Sequence, residues 1–184
     1  MTDSETDYII RAKKGDLKAF ERLVSSYQKK VFTYLFHFTG DQSNAEDLTQ
    51  ETFILFFRKI QQYDASRALL SWLITIAKNI AISSCRKRKP VTLAPECFLL
   101  MPSEKRNSPE DQAESRELAL EVQKALQSLS EESREVLIMK YIMDFSIEEI
   151  AKHQGIPAGT AKSRLFKARS DIKNIILKEN VSES

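Results

Sequence analysis

Lys162, Ser163, Phe166, Lys167 and Ser170 share one side of a helical pattern whose other side is Ala161, Leu165, Ala168 and Ile172. Cations, hydroxyls and an exposed ring make no catalyst. They suit duplex DNA, where cations meet phosphates and side chains reach base edges or thymine methyls. Arg164 and Arg169 flank the apolar stripe. A solvated face on an ordinary helical bundle is the competing reading. A second set, Trp72, Ile76, Asn79, Ser83 and Arg86, lines one side of another helical pattern and runs into Arg86-Lys87-Arg88-Lys89. A stacking ring, an amide and a hydroxyl beside a basic strip fit single-stranded nucleic acid, because bases stack while cations follow the backbone. A core tryptophan and a basic helix end complementing the helix dipole explain the same residues otherwise. A third set, Asp47, Glu51, Ile54 and Arg58, with Gln50 and Phe57 beside it, makes an acidic face set with large apolar side chains. Such a face suits a protein partner, and a solvated face over a thick core helix is its alternative. Asp47 and Glu51 stand one turn apart with no histidine or metal cluster near in sequence, so the pair need not be catalytic.

The elements that must carry these sets are all helical. Ser146–Lys173 contains two short amphipathic patterns meeting at Gly155-Ile156-Pro157, the outline of a helix-turn-helix. Gly155 can take the left-handed conformation that ends a helix, and Pro157 suits the turn or the start of the second. Upstream, Thr6 or Asp7 is expected to cap a short helix closed by Gly15, and Asp16 a longer one ended by Gly40. The longer helix has a broad stripe of Leu17, Phe20, Leu23, Val24, Tyr27, Val31, Tyr34, Leu35 and Phe38, read as core, with His37 a half-buried neighbour. The helix about Asn44–Gln61 points Ala45, Leu48, Phe53, Phe56 and Ile60 inward, and Arg67–Arg88 does so with Leu69, Leu73, Ala77, Ile80 and Ala81. Pro90, Pro95, Pro102 and Pro109 punctuate a stretch without helical or strand period, which reads as a linker. Beyond it, helices are expected over Gln112–Ser128 and, capped by Ser130, over Arg134–Met143.

Composition agrees with this outline. Over 184 residues, 42% hydrophobic and 29% charged content with only 4 Gly and 5 Pro argues for packed helices over a turn-dense β fold. The net charge of +2 conceals local patches: Lys78–Pro90 holds five basic and no acidic residues, and Asp41–Glu51 four acidic and no basic ones. Cys85 and Cys97 have no metal-ligand spacing; two free thiols are the preferred reading and a disulfide between them the alternative. No signal-peptide order and no run of about 20 apolar residues occurs, so a soluble, intracellular protein without membrane insertion is expected. No metal, cofactor or catalytic residue is expected.

Four stretches then resemble one family: AEDLTQETFILFFRKI (Ala45–Ile60), SWLITIAKNIAISSCRKRK (Ser71–Lys89), LSEESREVLIMKYIMDFSIEEIAK (Leu129–Lys152) and GIPAGTAKSRLFKAR (Gly155–Arg169). Together, in order and spacing, they resemble bacterial sigma-70 factors of the short extracytoplasmic-function (ECF) group. The resemblance implies an all-α protein of two small helical domains, a region 2 bundle over 6–89 and a helix-turn-helix region 4 domain over 112–178, joined by a flexible linker over 90–111. It implies that Asp47, Leu48, Gln50, Glu51 and Phe53 bind core RNA polymerase. It assigns −10 recognition and melting to Tyr63, Trp72, Asn79, Arg86, Lys87 and Arg88, with Tyr63 and Asn79 lining the pocket of a flipped-out base. It assigns −35 reading to Lys140, Thr160, Lys162, Ser163, Arg164, Phe166, Lys167 and Arg169. The chain departs from the family pattern at Ser83, at Asp144-Phe145 where Gly-Leu is common, and at Ala161 where Val is usual.

The expected activity is therefore non-enzymatic. The chain is expected to direct polymerase to promoters from the cytoplasm, as a monomer when free. Members are commonly held by an anti-sigma protein, for which Phe98–Met101 is only a weak docking candidate. A stand-alone helix-turn-helix regulator is the rival reading. It leaves the acidic face and the Trp72 stripe idle.

Overall fold

The computed structural model describes residues 4–65, 67–85 and 109–182, and all their regular elements are helical. The expected helices over these residues form, with small shifts at their ends. Helix α1 spans Glu5–Lys13, capped by Ser4 rather than Thr6 or Asp7, because the Ser4 hydroxyl accepts from Asp7 N. Gly15 takes φ +91°. Asp16 caps α2 (Leu17–Thr39), its carboxylate accepting from Lys18 N and Ala19 N at 3.0 and 3.1 Å. Helix α3 spans Gln42–Lys59 and tightens into a 3-10 turn at Ile60–Gln62. Helix α4 spans Leu69–Cys85.

In the next described segment, α5 spans Pro109–Gln127 and so begins three residues before the expected Gln112, with proline at its first position, where no N–H is needed. Helix α6 (Glu131–Leu137) starts at the Ser130 cap and runs on as a π-helical turn, Ile138–Ile142. Asp144 then holds φ +57°, a left-handed conformation that glycine adopts freely. The resemblance leads one to expect glycine at this position, and Asp144 takes the conformation in its place. Helices α7 (Ile147–Gln154) and α8 (Ala158–Ser182) complete the chain.

The chain divides into two compact units, Met1–Leu35 with Ser43–Pro90, and Phe36–Gln42 with Val91–Ser184. In the first, α3 and α4 bury the inward residues their periodicity marks: Ala45, Leu48, Phe53, Phe56, Ile60, Leu69, Leu73, Ala77, Ile80 and Ala81. The Phe20 ring of α2 lies 5.0 Å from both Phe56 and Phe57, tilted against the first and edge-on to the second. Leu17, expected in the α2 core stripe, is exposed, as is Leu118 of α5. Periodicity marks a helix's apolar side but not how far neighbours cover it.

In the second unit, α8 packs on α5, α6 and α7. Its core includes Ala125, Leu126, Val136, Ile138, Met139, Ile150, Ala161 and Ala168. The Arg134 guanidinium donates to the carbonyls of Leu126, Gln127 and Leu129 and to that of Phe38. A cation thus satisfies the unpaired carbonyls that end α5. His37 is fully rather than half buried, with Nδ1 2.8 Å from Gln123 Oε1, and burial pushes its pKa down.

Candidate nucleic-acid interface

The turn between α7 and α8 is built from local chemistry. Ser146 and Glu149 form a reciprocal capping box, with Glu149 N donating to Ser146 Oγ at 3.1 Å and Ser146 N to the Glu149 carboxylate at 2.8 Å. The Ser146 donors hold the Glu149 carboxyl below its ordinary range. Gly155 closes α7 at φ +66°, and Ile156 N donates back to Ala151 O at 3.0 Å. This Gly-closed turn sends the chain into α8 after Pro157.

Helix α8 buries Ala161, Leu165 and Ala168. Thr160, Lys162, Ser163, Phe166 and Lys167 are exposed, and Phe166 is 75% exposed. A ring that open to water suits contact with a base methyl. The other assigned residues behave differently. Arg164 is turned inward, donating to Gln154 Oε1 at 2.9 Å and standing 3.0 Å from a Glu132 carboxylate oxygen. Lys140 Nζ donates to Phe145 O at 3.2 Å, tying down the left-handed corner at Asp144. Arg169 is exposed but lines an apolar groove of about 570 Å³ with Val122, Leu126, Tyr141 and Ile172. Five of the eight residues therefore share the open face.

Glu135, which its place in the sequence does not single out, is completely buried. Its carboxylate lies 3.3 Å from His153 Nε2 and accepts from Gln154 Nε2 at 2.8 Å. The signal was an acidic residue three and four positions before Ile138 and Met139, on the inward side of an apolar pattern.

In the first unit, Tyr63 is buried and Trp72 half buried, their ring centroids 5.2 Å apart. The Tyr63 hydroxyl donates to Arg67 O, and Lys13 Nζ donates to Tyr63 O at 2.8 Å. Burial, with the Glu5 and Asp64 carboxylates adding to it, raises the Tyr63 phenol pKa. Of these two rings Trp72 is the one with accessible surface, and Tyr63 packs against it. Asn79 and Ser83 are exposed on α4 and line a groove of about 400 Å³ against Glu51, Leu55 and Lys59 of α3. Arg86, Lys87 and Arg88 lie outside the described residues, as do Cys97, Phe98–Met101 and the Cys85 side chain.

On the outer side of α3, Asp47, Gln50 and Glu51 are exposed, with Ile54 and Phe57 about half exposed among them. Leu48 and Phe53 were grouped with these residues but are 3% and 8% exposed. The helical repeat turns them to the core side with Thr52 and Phe56, so they shape the face without forming it. Among the described residues no group of His, Cys, Asp and Glu is placed to hold a metal ion, and no helix is long and apolar enough to cross a membrane.

Comparison with known proteins covers the same two segments. The sigma-70 region 2 family model matches residues 23–91, and the sigma-70 region 4 model matches residues 119–172. The chain is 34% identical over 173 residues to the ECF RNA polymerase sigma factor SigW of Bacillus subtilis, spanning 90% of this chain and 92% of the relative. It is 31% identical over 178 residues to the RNA polymerase sigma-H factor of Pseudomonas aeruginosa, with 92% of each covered. Its fold is similar to that of the sigma factor RpoE from Bartonella quintana, solved with the anti-sigma factor NepR, at a TM-score of 0.67 and 23% identity over 86% of this chain and 97% of that one. It is similar also to CnrH, solved with the cytosolic domain of CnrY, at a TM-score of 0.68 and 21% identity over 92% and 94% of the two chains.

Proposed function

Since the chain belongs to the sigma-70 family, in its ECF group, we propose a division of its work among three helical surfaces. The chain is a sigma factor, non-enzymatic, that binds core RNA polymerase and directs promoter-specific initiation. The outer side of α3, with Asp47, Gln50, Glu51, Ile54 and Phe57, docks on polymerase. Trp72, braced by Tyr63, stacks on the melted −10 strand, and Asn79 and Ser83 line the groove that receives an unstacked base. Arg86, Lys87 and Arg88 follow its phosphates. The open face of α8, with Thr160, Lys162, Ser163, Phe166 and Lys167, reads the −35 duplex. The domains are 6–89 and 112–178, and of the stretch 90–111 between them residues 109–111 already belong to α5.

The observation that carries this reading is the α8 face, where cations, hydroxyls and a 75% exposed phenylalanine stand opposite a buried stripe. A stand-alone regulator would leave the segment matched by the region 2 model without a task. Each DNA contact is modest, and polymerase holds both in register, so effective concentration supplies what each lacks. The site of action is the cytoplasm, where polymerase and promoters meet, and the free chain is a monomer. An anti-sigma partner is proposed from the solved relatives' complexes.

Run-off transcription on genomic fragments, with and without core enzyme, tests the scheme. We expect promoter-specific transcripts with core enzyme and weak binding of promoter DNA by the free chain. Tight, sequence-specific binding without polymerase would count against it.

A further inference from the structure

Helix α8 meets its own domain through a smooth surface. Two of its three central buried residues, Ala161 and Ala168, are alanines with no exposed area, and the third is Leu165. Methyl groups bring helices close but interlock weakly, so they leave the roll of the helix about its axis poorly specified. Roll matters for reading bases: about 10° displaces a side-chain tip roughly 6 Å from the axis by roughly 1 Å. A displacement of that size is enough to spoil a hydrogen-bonded site.

Something else must therefore hold the roll, and a polar chain running from α6 through α7 to α8 is placed to do so. Glu135 of α6 is completely buried, an unusual place for a carboxylate unless it is satisfied. Its two oxygens face the last turn of α7, one 3.3 Å from His153 Nε2 and the other accepting from Gln154 Nε2 at 2.8 Å. The Gln154 amide is thereby oriented, its oxygen accepting from Arg164 of α8 at 2.9 Å. The other end of the Arg164 fork stands 3.0 Å from Glu132 of α6, closing the loop. The planar guanidinium fixes direction as well as distance. Three helices are thus tied through one side chain of the recognition helix, which lies between the outward-facing Ser163 and Phe166.

We infer that Glu135 and Gln154 are positioning residues for −35 reading. Through Arg164 they set the rotation of α8 that presents Lys162, Ser163, Phe166 and Lys167 to the groove. The inference rests on the reading of α8 as the −35 helix. It makes Arg164 a strut within the domain, not a DNA contact.

The test uses the full chain reconstituted with core polymerase on a promoter recovered from the run-off experiment. Two templates are compared, identical except that the −35 element is intact or scrambled, and thermal unfolding of each variant is recorded. We expect the wild-type chain to favour the intact template. Gln154→Ala should lower that preference about three- to tenfold, with initiation on the scrambled template and the unfolding midpoint little changed. Glu135→Gln keeps an acceptor for Gln154 and should retain more of the preference than Glu135→Ala at matched folded protein. The double variant Gln154→Ala, Arg164→Ala should discriminate no worse than Arg164→Ala alone. Full wild-type preference in Gln154→Ala overturns the inference, and so does an equal loss on both templates. A wild-type chain indifferent to the −35 element overturns the parent reading along with it.

Discussion

The rings of Tyr63 and Trp72 lie 5.2 Å apart at 51°, and the Trp72 indole also meets Phe56 nearly edge-on at 5.8 Å. The indole is thus fixed on two sides by buried rings while part of its surface stays open. A preformed stacking platform loses little freedom when a base arrives. Trp72→Leu keeps apolar bulk and removes the platform. Base stacking is worth about 1–3 kcal/mol, so open-complex formation should fall roughly 5- to 150-fold. Permanganate reactivity of unpaired thymines measures it, with binding to core polymerase as the control that should not move.

The outer and inner sides of α3 should separate in their effects. Leu48→Ala and Phe53→Ala remove buried side chains and should cost about 2–5 kcal/mol in thermal unfolding. Asp47→Ala and Ile54→Ala change exposed positions and should stay within about 0.5 kcal/mol of the wild-type stability. Only the second pair should weaken core-polymerase binding at matched folded protein, measured by fluorescence titration. If Asp47→Ala and Ile54→Ala bind normally, the docking surface lies elsewhere.

On α8 the cations and the ring should be distinguishable by salt. Lys162→Ala and Lys167→Ala each remove an exposed charge. If each meets a phosphate, the slope of log affinity against log salt should fall by about 1 for holoenzyme on an intact promoter. Phe166→Ala should leave that slope alone and lower affinity at every salt concentration. A shallower slope in Phe166→Ala, or none in either lysine variant, would contradict the assigned roles.

The helix-turn-helix corner should respond to backbone and to pH. Gly155 stands at φ +66° with no atom within 4 Å of a Cβ built there, so Gly155→Ala meets no clash and its cost is conformational. That cost is about 1–2 kcal/mol. Glu149 is held below its ordinary carboxyl range by the Ser146 donors. Its folded pKa is lower than its unfolded one, so the folded state binds fewer protons. The stabilisation is present above the unfolded value near 4.5 and is lost as pH falls through the folded value. Glu149→Gln should flatten that part of the acid limb, and chemical denaturation between pH 6 and 3 measures it.

Much of this was legible in residue order because it is local. Asp16, Ser130 and Gly155 announce helix ends through hydrogen bonds and backbone preferences that span four residues or fewer. The inward residues of α3 and α4 follow from a 3.6-residue repeat. Less local features were read less well. Leu17 and Leu118 carry the same periodicity as core residues yet are exposed. Leu48 and Phe53 fall within a motif assigned to a surface and lie beneath it.

The sequence by itself determined the helices, the family and which sides of α3, α4 and α8 are available, because spacing along a helix sets the direction each side chain leaves it. Tertiary structure alone decided which of those side chains remain open. Arg164 and Lys167 look alike in sequence, but Arg164 reaches Gln154 and Glu132 while Lys167 stays exposed. Glu135 reads as one charge among several, yet it sits fully buried against the end of α7. A side chain's pairing depends on partners 10 to 32 residues away along the chain, brought within hydrogen-bond reach by packing, and helical spacing carries no record of them.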